Sequence, residues 1–193
     1  QPLVLPSGTL VVVYTAFADP RFGARSELQA TRSTDGGASF SAPGRVAFLA
    51  TADIPAMRTF ALASAEVDGA GRMYVAWEGC PGGGSCAASR IVMTTSVDGV
   101  NWTPAQAVTA GGSEVDHFLP GIAANPAASG RLALVFHSIP DDCANDTTCP
   151  GIDVFHTTSK DGGRTWTRQL RLTAEPIALD SIARTRIGLM LAD

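Results

Sequence analysis

The sequence predicts an all-β chain assembled from a repeated four-stranded antiparallel unit, and three observations carry that prediction. One short motif occurs three times, as Ser33-Thr34-Asp35-Gly36-Gly37-Ala38-Ser39-Phe40, Ser96-Val97-Asp98-Gly99-Val100-Asn101-Trp102 and Ser159-Lys160-Asp161-Gly162-Gly163-Arg164-Thr165-Trp166. Its aspartates are spaced 63 residues apart (98 − 35 and 161 − 98). A near-continuous apolar run introduced by glycine precedes each copy, at 8–14, 71–77 and 130–136. Such runs, β-branched and aromatic, read as strands buried on both faces, and helical periodicity is convincing nowhere.

The motif describes a hairpin turn with its own fastening. Ser33, Ser96 and Ser159, with Asp35, Asp98 and Asp161, place side-chain oxygens where the turning backbone leaves amides unpaired. Gly37 and Gly163 supply the positive φ that such loops need. The closing aromatics, Phe40, Trp102 and Trp166, begin the next strand and are expected to fold back over the turn.

Taken in order, first strands are expected at 2–5, 60–66 and 118–124, and second strands in the apolar runs. Third strands should run into the turns at 28–33, 91–96 and 152–159, and fourth strands follow at 40–46, 102–108 and 166–172. The stretch 181–191 reads as coil or as the opening strand of a fourth unit. Four-stranded units recurring at this interval are the sequence image of a β-propeller, whose blades pack radially around a channel. A solenoid has a shorter period, and a sandwich does not repeat. The chain is therefore expected to be one partial propeller domain, with blades at 1–58, 59–116 and 117–175 and the start of the next at 176–193.

Composition narrows the partners. The net charge is −4 and Lys and Arg do not cluster, which argues against a nucleic-acid surface. No apolar run approaches the ~18 residues of a membrane-spanning helix. The 193 residues open on Gln-Pro-Leu-Val-Leu-Pro without an initiator Met and stop abruptly, so the chain is expected to be a segment of a longer protein. The four cysteines form two equally spaced pairs, Cys80 with Cys86 and Cys143 with Cys149, each spanning a polar loop. Local disulfides in an oxidising compartment are favoured. Zinc is the rival, with tighter Cys spacing as a rule and no His close in sequence, and free thiols remain an alternative. No metal or other cofactor is expected. The Ala-, Gly- and Arg-rich usage suggests a bacterial source, and the cysteines suggest a secreted, extracellular or periplasmic, protein.

The Ser-x-Asp-Gly-x-x-x-aromatic motif resembles the Asp-box, or bacterial neuraminidase repeat, of sialidases and their relatives, and the resemblance covers essentially the whole chain. It implies a six-bladed ring of which this chain supplies about half, completed by further blades or a second copy, with the turns on the outer rim away from the active site. It also implies three arginines converging on a sugar carboxylate, because planar guanidinium forks match a carboxylate. A tyrosine nucleophile with a glutamate partner and an aspartic general acid complete the implied set.

Tested against that set, Asp19 occupies the loop where the general acid would lie. Arg58, Arg184 and Arg186 precede first strands, where Asp116 and His117 stand in the middle repeat. Arg58, Asp116, His117 and Arg186 are expected to form a polar, substrate-binding ring at the channel mouth. The family's early Arg-Ile-Pro-like motif does not occur. Tyr14 and Tyr74 align with strand-interior positions and read as packing residues. Two functions follow: a sialidase-like propeller acting on or recognising sialylated or related glycans, or a non-catalytic carbohydrate- or protein-binding propeller presenting its cysteine-closed loops.

Overall fold

The structure is a computed structural model, and it describes residues 1–17, 25–52, 54, 57–58, 61–82, 84–140, 143, 149–186 and 188–191. It contains three four-stranded antiparallel sheets, each a simple meander. The first is β1 (Pro2–Val4), β2 (Leu10–Ala16), β3 (Glu27–Ser33) and β4 (Gly44–Phe48); the second is β5 (Ser64–Val67), β6 (Met73–Gly79), β7 (Arg90–Ser96) and β8 (Gln106–Ala107). The third is β9 (Val115–Ala124), β10 (Leu132–Pro140), β11 (Asp153–Ser159) and β12 (Leu170–Arg171). A two-stranded hairpin, β13 (Ala183–Thr185) and β14 (Gly188–Met190), follows a 3-10 turn at Leu179–Ser181. There is no α-helix among the described residues.

The sheets fan out from their first strands: β1 lies beside β5, and β5 beside β9. Side-chain burial follows from that fan. In β6 every residue is buried, because Met73, Val75 and Trp77 face the first blade while Tyr74 and Ala76 face the third. β2 and β10 depart from the two-sided burial expected of them. Val11 and Val13 of β2 pack on the second blade, but Leu10, Val12 and Tyr14 on its other face are half-buried. In β10, Leu132, Leu134 and Phe136 pack on the second blade while Ala133 and Val135 are exposed, Val135 at 42%. The apolar runs are alike in sequence; only the middle one has a blade on both sides.

The turns close as their chemistry dictates. Ser33 Oγ donates to Asp35 Oδ1 (2.7 Å) and accepts from Gly37 N (2.8 Å), while Ser39 donates its amide to Asp35 Oδ1 (2.9 Å) and its hydroxyl to Oδ2 (2.5 Å). Ser159, Asp161, Gly163 and Thr165 repeat this pattern. In the shorter middle copy, Asp98 Oδ1 accepts from the amides of Val100 and Asn101, both at 2.8 Å. Gly37 (φ 94°) and Gly163 (φ 86°) adopt the left-handed conformation. These bonds, led by the Thr165 hydroxyl, hold the Asp161 carboxyl down to about 2; Asp35 and Asp98 are held lower still. The contribution is present above the ordinary carboxylate pKa and is lost as pH falls through these depressed values.

The closing aromatics divide by neighbour. Trp102 packs on the core between blades one and two, and Trp166 on that between two and three. Phe40 is 47% exposed, since among the described residues no sheet packs on that side of the first blade. The fourth strands begin later than expected: after each aromatic, one backbone bond holds the segment (Ser41 N to Arg32 O, Thr103 N to Thr95 O, Thr167 N to Thr158 O) before the ladder resumes.

A buried carboxylate stitches blades two and three. Asp68, in the β5–β6 turn, accepts from Ala70 N and Arg72 N at Oδ1, both 3.0 Å, and at Oδ2 from Tyr74 OH (2.9 Å), Ser129 Oγ (2.7 Å) and Gly130 N (3.0 Å). Burial pushes its pKa up, but the bonds to Ser129, Gly130, Arg72 and Tyr74 outweigh that and leave it lowered.

Candidate functional site

Strand register puts the Asp turns at one end of the blades, where Ser33 pairs with Leu10, Ser96 with Met73 and Ser159 with Leu132. The opposite end, here called the mouth, carries the β6–β7 and β10–β11 loops and the entry to β9. Both loops are closed by disulfides, Cys80–Cys86 with Cα atoms 5.4 Å apart and Cys143–Cys149 at 4.8 Å. Replacing Cys80 and Cys86 by serine is expected to cost about 2 kcal/mol for a loop this short, read as a lower urea midpoint.

Under the first of these loops lies a buried polar cluster. Glu78, next to last in β6, lies on the face toward the third blade and is 1% exposed; Asp116, at the start of β9, is fully buried. Asp116 Oδ1 accepts from Ser89 N (2.7 Å), and Ser89 Oγ accepts from Ala52 N (2.8 Å), so three segments are pinned together. Arg90 is consumed by backbone: it donates to the carbonyls of Ser89 (2.8 Å), Val115 (2.6 Å) and Gly112. His117 Nδ1 meets Thr109 Oγ1 at 2.7 Å, and its ring lies 4.9 Å from that of Phe136.

Burial, and then the charge of Asp116, pushes the Glu78 carboxyl up to about 8, so it is protonated at neutral pH. Burial, and then the neighbouring Arg90 cation, brings His117 down to about 4, so its ring is neutral there. Thr109 Oγ1 also accepts from Ile91 N (3.1 Å), which suits a hydroxyl donating to an unprotonated Nδ1.

Above this cluster the β13–β14 hairpin meets the chain entering the second blade. Leu189 pairs with Met57 on one side and Arg184 on the other, and Arg58 N donates to Leu189 O (2.8 Å). The Arg58 guanidinium lies against Met190 Sδ. Met57, Phe118 and Leu189 share one apolar cluster with Ile54, Ile139, Ile152 and Ile182, so the segments bearing Arg58, Asp116–His117 and Arg184–Arg186 meet at this end. Arg184 and Arg186 are exposed and Arg58 is half-buried, whereas Asp116 and His117 lie beneath the surface rather than in an open ring. Asp19 lies outside the described residues.

Tyr74 is buried with its hydroxyl on Asp68 at the turn end, and Tyr14 OH donates to Gln29 Oε1 (3.0 Å) within the first sheet. Among the described residues no group of three or more His, Cys, Asp or Glu side chains is placed to hold a metal ion. Glu78, Arg90 and Thr109 escaped the sequence reading. A carboxylate closing an otherwise apolar strand, Met73 to Trp77, was the signal for the first.

The fan of meanders, the common turn end and the loop-bearing mouth define a β-propeller sector. No protein-family model and no curated protein matches the sequence. Solved structures do resemble the fold. An α-L-arabinanase from Penicillium chrysogenum, complexed with arabinobiose, is similar at 17% identity and a TM-score of 0.57 over 91% of this chain and 50% of its own. A Hadza microbial sialidase is similar at 17% identity and 0.53, over 88% and 37%; an α-L-arabinofuranosidase from Fusarium graminearum at 15% and 0.57, over 88% and 46%. The chain spans half or less of each. At these identities the likeness is one of fold.

Proposed function

We propose that this chain is part of a secreted, glycan-directed propeller that takes a carboxylated sugar, sialic acid or a relative, at its mouth. The observation that carries this reading is the meeting of three arginine-bearing segments at the mouth: the strand of Leu189 pairs with Met57, the neighbour of Arg58, on one side and with Arg184 on the other, and Arg186 sits at the hairpin turn. Planar guanidinium forks suit a carboxylate. The buried Glu78–Asp116 cluster beneath holds the mouth segments in place. The two local disulfides suit export to an oxidising compartment. The apolar faces left by β2 and β10 suit further blades closing the ring.

A second reading, recognition without hydrolysis, is favoured by the tyrosines, since neither hydroxyl faces the mouth. The test is release of 4-methylumbelliferone from a sialoside and from an α-L-arabinofuranoside, run beside a glycan array. Turnover of the sialoside that falls on Arg186→Ala supports sialidase action. Array binding to sialylated glycans without turnover supports recognition. Neither, or turnover of the arabinofuranoside alone, contradicts the carboxylate assignment.

A further inference from the structure

A second groove lies at the turn end, formed by blades two and three, and measures about 440 Å³. That is within the ~300–1,000 Å³ of small-ligand sites. Its apolar floor is Met93, Pro104 and Val108 of the second blade; its wall is the third blade's turn from Lys160 to Arg164, with Arg72 opposite. Arg72, Lys160 and Arg164 are exposed, and among the described residues none of these three side chains has a hydrogen bond or an ion pair. Asp161 on the same wall is occupied by Ser159 and Thr165 in fastening the turn.

The three turns show that this charge is not needed for turning. The residues after the Ser and before the closing Ser/Thr/Asn are Thr34 and Ala38 in the first copy, Val97 and Val100 in the second, and Lys160 and Arg164 only in the third. The equivalent space between blades one and two is also filled. Arg32 reaches across it to donate to Asp98 O (2.9 Å), and a Cβ on Gly99 would meet the Arg32 Cδ at 3.1 Å. In the second blade the residue at the place of Arg32 is Thr95, which leaves the groove open.

We propose that this groove binds an anionic saccharide, a sugar unit carrying a sulfate or carboxylate. Arg72, Lys160 and Arg164 take the charge, the Met93–Pro104–Val108 floor takes the apolar face of the ring, and Thr95 and Gln106 take hydroxyls. Both walls lie within this chain, so the site is independent of the mouth and of any further blade.

Calorimetric titration of the 193-residue chain with a sulfated uronic-acid disaccharide, its neutral counterpart and inorganic sulfate tests this. The sulfated disaccharide is expected to bind, the neutral one and free sulfate at least about tenfold more weakly. Lys160→Ala with Arg164→Ala should weaken binding at least about tenfold with an unchanged melting temperature. Thr95→Arg adds a positive charge while filling the groove as Arg32 fills its counterpart, and is expected to abolish binding. No heat with the sulfated disaccharide up to about 10 mM overturns the proposal. So does free sulfate binding equally well, or a Thr95→Arg chain binding as tightly as the parent, which marks attraction to a basic surface only.

Discussion

An Asp68→Ala chain is expected to lose about 3 kcal/mol of stability or more, the largest effect of any single side chain considered. The substitution strands five donors at once, from the β5–β6 turn, from Tyr74 inside the β6 face and from Ser129 and Gly130 of the next blade. Tyr74 and Gly130 are buried, so water cannot replace the lost acceptor without opening the junction. For a domain of this size the loss corresponds to a fall in melting temperature of about 6–12 °C. Ser129→Ala removes one of the five bonds and is expected to cost about 1 kcal/mol. A double-mutant cycle with both changes should be strongly non-additive, because the alanine at 68 has already broken the bond that Ser129 makes. Additive costs would mean that the blades are not joined through this carboxylate.

The second large effect is a dependence of stability on pH that reverses in sign. Glu78 holds its proton more tightly folded than unfolded, so its contribution is full below about 4.5 and is lost as pH rises to about 8. His117 does the opposite. Its proton is held less tightly folded, so stability is lost as pH falls from about 6.5 to about 4. Between about 4.5 and 6.5 the two slopes offset each other; above about 6.5 the Glu78 slope remains, opposed only by the partly buried Gln1 amine, whose pKa burial lowers. Urea midpoints should therefore fall from about pH 6.5 to 8, with a slope of at most about 1.4 kcal/mol per pH unit. Glu78→Gln keeps the shape of the buried carboxyl but cannot ionise, and is expected to flatten that slope. A decline that persists in the Gln variant would place its origin elsewhere.

The sequence declared its architecture through local chemistry. The Ser-Asp-Gly turns close on themselves, so three copies at a fixed interval located the hairpins and, with them, the third strands almost to the residue. Properties set by neighbouring blades were less legible. Tyr14, Trp77 and Phe136 occupy equivalent places, yet Trp77 and Phe136 are buried and Tyr14 is not, because burial there depends on the preceding blade. The same dependence separates Phe40 from Trp102 and Trp166. Asp68 carries no signal in the sequence, since its decisive partners, Ser129 and Gly130, lie about sixty positions away. At the mouth, sequence position brought Arg58, Asp116, His117 and Arg186 to one end. It did not reveal that Asp116 and His117 would turn inward to Ser89 and Thr109, leaving Arg184 and Arg186 exposed and Arg58 half-buried against Met190.

An amide-resolved NMR titration with N-acetylneuraminic acid and its methyl ester tests most directly whether the mouth arginines read a sugar carboxylate. The acid is expected to shift the signals of 57–58 and 183–190, and the ester, which lacks the charge, to bind at least about tenfold more weakly. Equal shifts with acid and ester, or shifts absent from these segments, would contradict it.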